Sequence, residues 1–76
     1  MEKAYMLISC DIGEEHSIYS KLREISEIKD CIITYGSYDI VVKFETNSAD
    51  EMNAVISNKI RKLEKIRSTI TLRVTD

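Results

Sequence analysis

The strongest constraint on this chain is the order in which its hydrophobic period changes. From Ala4 to Ile12 the side chains alternate, with Met6, Ile8, Cys10 and Ile12 on one face and Tyr5, Leu7, Ser9 and Asp11 on the other. Period-two alternation is the mark of a strand covered on one side. From Gly13 to Ser26 the spacing changes to three and four: Ile18, Leu22 and Ile25 form a stripe with Tyr19 at its margin, behind acidic Glu14 and Glu15. That pattern predicts a helix with carboxylates at the positive end of its dipole.

Strand patterning returns over Ile28–Tyr35, through the run Cys31-Ile32-Ile33-Thr34, and again over Tyr38–Glu45, where Ile40, Val42 and Phe44 alternate with Val41, Lys43 and Glu45. Only Gly36-Ser37 separates the two runs, so they read as a hairpin with a tight turn. Ser48-Ala49-Asp50-Glu51 is a capping box opening a second helix. Its apolar positions Met52, Val55, Ile56, Ile60 and Leu63 keep helical spacing. Ser68–Thr75 alternates Ile70, Leu72 and Val74 against Thr69, Thr71 and Arg73 as a last strand.

This order closes as one α+β domain of ferredoxin-like βαββαβ type, an antiparallel sheet with two helices on one face. The first and third strands are expected in the centre. Met6, Ile8, Cys10, Ile40, Val42, Phe44, Ile70, Leu72 and Val74 are then expected under the helices. Tyr5, Leu7, Val41, Thr69 and Thr71 are left on the opposite face, which is too apolar to stay wholly in water. Tyr5, Leu7 and Val41 are accordingly assigned to a dimer interface. Self-association also suits a chain of 76 residues, because a domain this small buries only about 60% of its unfolded surface.

Composition narrows the function. A net charge of -2 and a pI near 5.4 do not describe a surface that neutralises nucleic-acid phosphates. The late basic run Lys59, Arg61, Lys62, Lys65 and Arg67 reads as a solvated helix end. Cys10 and Cys31 read as small strand hydrophobes out of disulfide reach, and no cysteine or histidine spacing fits a metal. The two glycines, Gly13 and Gly36, make no phosphate-binding loop, so no cofactor is expected. No nucleophile, base and orienting group occur as a set, and His16, the one histidine, falls in a helical first turn, so no catalytic residue is assigned. No apolar run approaches a membrane span, which places the chain in the cytoplasm.

One cluster is suited to a ligand. In Thr34-Tyr35-Gly36-Ser37-Tyr38-Asp39 a glycine, two phenols, hydroxyls and a carboxylate surround the hairpin turn. Backbone N–H groups and hydroxyls can hold a carboxylate, and Asp39 can accept from an ammonium, which together fit an amino-acid zwitterion. On their chemistry alone the same residues suit a plain turn better, with Gly36 serving the turn, Tyr38 packing at an interface and Asp39 capping backbone.

Around Gly36, Tyr38 and Asp39, with Ile40-Val41-Val42-Lys43 following, the chain resembles the ligand-binding (RAM) half of Lrp/AsnC transcription regulators, from about Ala4 to Val74. The resemblance implies sheet-to-sheet dimers, rings of dimers, and amino-acid effectors bound between dimers. It offers Gly36, Tyr38 and Asp39 as effector-site residues; Ser37 of the same turn is added to them, as are Thr69 and Thr71 on the last strand for hydroxyls that reach the same pocket. Residues 1–76 then form a single sensor domain without the family's DNA-binding helix-turn-helix, expected to act through an amino acid, its own copies and full-length regulators, not through nucleic acid. The alternatives are an ACT-like regulatory domain using Asp11 and Gly13, a small dimeric enzyme using His16 or Asp11, and a purely structural oligomer without a ligand.

Overall fold

A computed structural model describes residues 1–75. Strands β1 (Glu2–Cys10), β2 (Ile28–Ile33), β3 (Ile40–Thr46) and β4 (Ile66–Arg73) form one antiparallel sheet in the order β2-β3-β1-β4. Helices α1 (Glu15–Arg23) and α2 (Ala49–Val55) pack on one face, with α2 continuing as a π-helical segment, Ile56–Ile60. The element order and the central placement of β1 and β3 match the ferredoxin-like expectation.

The core follows the period-two and helical stripes. Ala4, Met6, Ile8 and Cys10 of β1 and Ile40, Val42 and Phe44 of β3 meet Ile18 and Leu22 of α1 and Met52, Val55, Ile56 and Ile60 of α2 and its continuation. Burying a side chain of this size contributes about 1.5–3 kcal/mol. The α2 start is fixed as its capping box requires: the Glu51 N–H donates to Ser48 Oγ at 3.1 Å. The Glu51 carboxylate reaches back one residue further than expected, accepting from the Asn47 N–H at 3.0 Å.

Several boundaries differ from the sequence reading. β1 ends at Cys10, and Ile12 is 93% exposed instead of lying on the core face. The cause is a turn in which the Glu14 N–H donates to the Asp11 carbonyl at 3.0 Å, completed by Gly13 at φ 86°. Helix α2 loses its regular pitch after Val55, and the Arg61 N–H donates to the Ile56 carbonyl at 3.0 Å, a five-residue bond. Of the basic run only Lys59 is helical, and it pairs with Glu27 at 3.0 Å, which holds the Glu27 carboxyl below its usual range. All five cations of that run are solvent-exposed.

The largest correction concerns β4. Ile70, Leu72 and Val74 are 42%, 50% and 40% exposed, and do not pack under the helices. Register shows why: Met6 pairs with Thr71 and Ile8 with Thr69, whereas Tyr5 pairs with Leu72 and Leu7 with Ile70. Paired residues share a face, so Thr69 and Thr71 lie on the helix side and Ile70 and Leu72 on the open side. A bulge makes this compatible with Ile66, which packs against the core. Ser9 pairs with Ser68 but Cys10 pairs with Ile66, leaving Arg67 as the extra residue.

Candidate functional site

The open sheet face carries Ile32 from β2, Val41 from β3, Tyr5 and Leu7 from β1, and Ile70 and Leu72 from β4. Their pairings, Ile32 with Val41, Val41 with Leu7, and Leu7 with Ile70, run across all four strands. Tyr5, Ile32, Ile70 and Leu72 each keep 40–50% of their surface in water. The three residues assigned to an interface from sequence, Tyr5, Leu7 and Val41, are therefore brought together, and the face is more apolar than expected because β4 contributes two aliphatic residues in place of two threonines.

At one end of this sheet sits the β2–β3 connection. It is longer than a two-residue turn: the Thr34 N–H donates to the Asp39 carbonyl at 2.8 Å, and Thr34 Oγ1 donates to the Tyr38 carbonyl at 2.8 Å. Gly36 has φ 143°, a backbone conformation that side chains disfavour, and a Cβ there would meet nothing within 4 Å. Gly36 and Ser37 are exposed, Tyr38 and Asp39 half-buried, and the Tyr35 ring stands fully in solvent.

Asp39 ties this loop to β1. Its N–H donates to the Ile8 carbonyl at 2.8 Å, and its Oδ2 accepts from the Cys10 N–H at 2.9 Å. The capping role anticipated as an alternative for Asp39 is thus present for one carboxylate oxygen. Burial, aided by the nearby Asp39 carboxylate, pushes the Cys10 thiol up to about 11. Burial likewise pushes the half-buried Cys31 up to about 11, against the opposing pull of Arg23. Neither thiol is a nucleophile at neutral pH.

Thr69 and Thr71 do not join the hairpin within one protomer. Thr71 instead borders a cleft of about 320 Å³ with Asn53, Ile56, Ser57, Arg61 and Arg73. The sequence signal for that cluster is Asn53, Ser57 and Arg61 at four-residue spacing, facing Thr71 and Arg73 at two-residue spacing. The apolar stripe of the same helix conceals it. His16 is exposed on α1, beside a groove lined by Tyr19, Cys31, Ile32 and Ile33. Asp11 and Gly13 are exposed in the turn after β1, where the Asp11 N–H donates at 2.9 Å to the carbonyl of Lys65, the residue just before β4. Among the described residues no group of three or more histidine, cysteine or acidic side chains could hold a metal.

A four-stranded antiparallel sheet with two helices on one face, an apolar open face on the other and a glycine-bearing loop at its end defines a small α+β domain of the ferredoxin-like class. Comparison with known proteins specifies it further: the family model of the Lrp/AsnC ligand binding domain matches residues 3–76, and the chain belongs to that family. It is 32% identical over 71 residues to the HTH-type transcriptional regulator FL11 of Pyrococcus furiosus, covering 93% of this chain and 46% of FL11. It is 36% identical over 58 residues to the regulatory protein AsnC of Escherichia coli, covering 76% of this chain and 38% of AsnC. The chain thus spans less than half of the curated regulators it matches. The crystal structure of FFRP-DM1 superimposes with a TM-score of 0.95 at 33% identity, covering 99% of this chain and 100% of that one. A match also exists to an enzyme, the homocitrate synthase of Saccharolobus islandicus, at 31% identity over 70 residues, but it covers only 15% of that protein.

Proposed function

We propose that this chain is an amino-acid-sensing and self-associating module that modulates transcription regulators of its own family. The observation that carries the reading is the juxtaposition of an apolar, four-strand open face with the Thr34–Asp39 loop. One surface offers association, and the other offers polar groups to a ligand.

In this reading two copies meet through their open faces, around Tyr5, Leu7, Val41, Ile70 and Leu72. Contiguous apolar surface of this kind is the usual mark of a protein contact. The loop supplies the backbone N–H groups flanking Gly36, the Ser37 and Tyr38 hydroxyls, and the second carboxylate oxygen of Asp39. Those groups complement the carboxylate and the ammonium of a free amino acid. Because Asp39 Oδ2 already holds Cys10, Asp39 serves as positioning residue and acceptor together, so occupancy of the loop is mechanically coupled to β1 in the middle of the sheet. Dimers then assemble further with the loops near their contacts. The net charge of -2 favours action through partner regulators in the cytoplasm over direct DNA contact by this module.

Thermal unfolding of the purified chain with each common amino acid, read beside light scattering, tests the proposal. At 100 times its dissociation constant a specific ligand adds about 2.7 kcal/mol per site, a rise of several degrees for so small a domain. The rise is expected with one amino acid or a chemically related few, and is expected to shrink in Gly36→Val. No rise with any of them refutes the amino-acid assignment.

A further inference from the structure

The geometry points to a second binding site, for a small oxyanion, in the cleft between the α2 continuation and β4. Its lining is Asn53, Ile56, Ser57, Arg61, Thr71 and Arg73, around about 320 Å³. Ile56 gives an apolar floor. Every other group can donate a hydrogen bond, and among the described residues no carboxylate lines the cleft.

Three observations make this more than a chance grouping of surface polar residues. Arg73 is held in place from one side: its Nη2 donates to Asn53 Oδ1. Its only carboxylate neighbour among the described residues is Glu2, at the limiting distance of 4.0 Å. The same bond turns the Asn53 amide so that its oxygen is used and its two N–H donors remain. Arg61, by contrast, has no carboxylate within 4.0 Å among the described residues, although the chain carries an excess of acids.

The backbone is also specialised here. The helix widens to π pitch over Ile56–Ile60, and the five-residue bond from the Arg61 N–H to the Ile56 carbonyl closes that segment. Single π-type turns within helices are enriched at functional sites. This one positions Ser57 and Arg61 over the alternate residues Thr71 and Arg73 of β4. Two guanidiniums with hydroxyl and amide donors between them are the recognition chemistry of carboxylate and phosphate groups. The ligand is therefore a small molecule bearing one of these oxyanions. The cleft lies across β1 and β3 from the edge strand β2 and shares no residue with the Thr34–Asp39 loop; Thr71 is the one residue it has in common with the effector set expected from sequence.

The test titrates the full chain with inorganic phosphate and, separately, with succinate, at constant ionic strength set by sodium chloride. Arginine side-chain N–H signals are followed by NMR. Arg23, which is engaged with Tyr19 at 2.8 Å, and Arg67 serve as internal references. Saturable shifts confined to Arg61 and Arg73 are expected with at least one anion. A phosphate response marks a phosphate-bearing ligand, a succinate response a carboxylate-bearing one. Affinity is expected to fall about tenfold or more in Arg61→Gln, the value of a lost charged hydrogen bond, and to stay unchanged in Asp39→Asn. Arg61 is exposed, so its replacement leaves the core intact, and Ser57→Ala provides a second, milder reduction. Non-saturating shifts, equal shifts at all arginines, or undiminished affinity in Arg61→Gln overturn the site.

Discussion

Replacing Leu72 by aspartate separates two roles that β4 could play. Leu72 is 50% exposed in the protomer and pairs with Tyr5 on the open face. Complete burial of a leucine is worth about 1.5–3 kcal/mol, so covering the exposed half in a dimer contributes about 1 kcal/mol. Twofold symmetry places the residue in the contact twice, giving about 2 kcal/mol. Aspartate forfeits this and adds the desolvation of a polar group, about 1–3 kcal/mol per copy and more if it stays ionised. The sum is at least about 4 kcal/mol, or three orders of magnitude in the dimer dissociation constant. Within the protomer the same change touches a half-exposed edge strand and costs only about 1 kcal/mol. Sedimentation velocity over a concentration series is therefore expected to show a folded monomer, with circular dichroism retaining the native spectrum. Met6→Asp, at a position with no exposed surface, should instead abolish folding. A Leu72→Asp chain that is unfolded at every concentration would place Leu72 in the core, and one that dimerises as before would remove the open face from the contact.

Other outcomes follow from individual contacts. Ser48→Ala should lower stability by about 1 kcal/mol, measured in urea, because the Glu51 N–H loses its cap. Lys65 has φ 75°, so Lys65→Gly should hold or raise the melting temperature, relieving about 1 kcal/mol of left-handed strain. For Cys10 the folded thiol titrates at about 11 against 9.0 for the free group. The unfolded chain loses this proton first, so stability is complete below pH 9 and falls as pH rises toward 11, by an amount on the order of 2 kcal/mol. Denaturation followed from pH 8 to 11 should show that loss, and Cys10→Val should reduce it to the share of Cys31, whose thiol is raised to about 11 in the same way.

Much of this architecture is legible from residue spacing. The core faces of β1 and β3 follow from alternation through Met6, Ile8, Ile40, Val42 and Phe44, and the start of α2 from Ser48 and Glu51. The face of β4 is not legible in the same way. Alternation groups Ile70 with Leu72 but is silent on which side of the sheet they occupy, and only the pairing of Ile8 with Thr69 decides it. The candidate loop is legible in its residue types at Gly36, Tyr38 and Asp39, yet not in its length, because the bond from Thr34 to Asp39 replaces the tight turn that Gly36-Ser37 implies. The polar cleft at Arg61 and Arg73 is hidden for another reason: its residues come from a helix and a strand whose apolar neighbours dominate the pattern.

The bulge at Arg67 lets one stretch of chain serve two masters. Ile66 looks inward and Ile70 and Leu72 look outward, although even spacing would put all three on one side. Damage at Ile66 should therefore register as unfolding, and damage a few residues later as dissociation. Loss of Arg67 itself would straighten the strand without exchanging its sides, whereas one residue gained or lost between Ser68 and Ile70 would turn the aliphatic side inward and the threonines outward. Self-association through the open face, as proposed, is thus set by counting as much as by chemistry, and a lineage could acquire or shed it through a single-codon insertion or deletion that leaves the core side chains of β1, β3 and both helices unsubstituted.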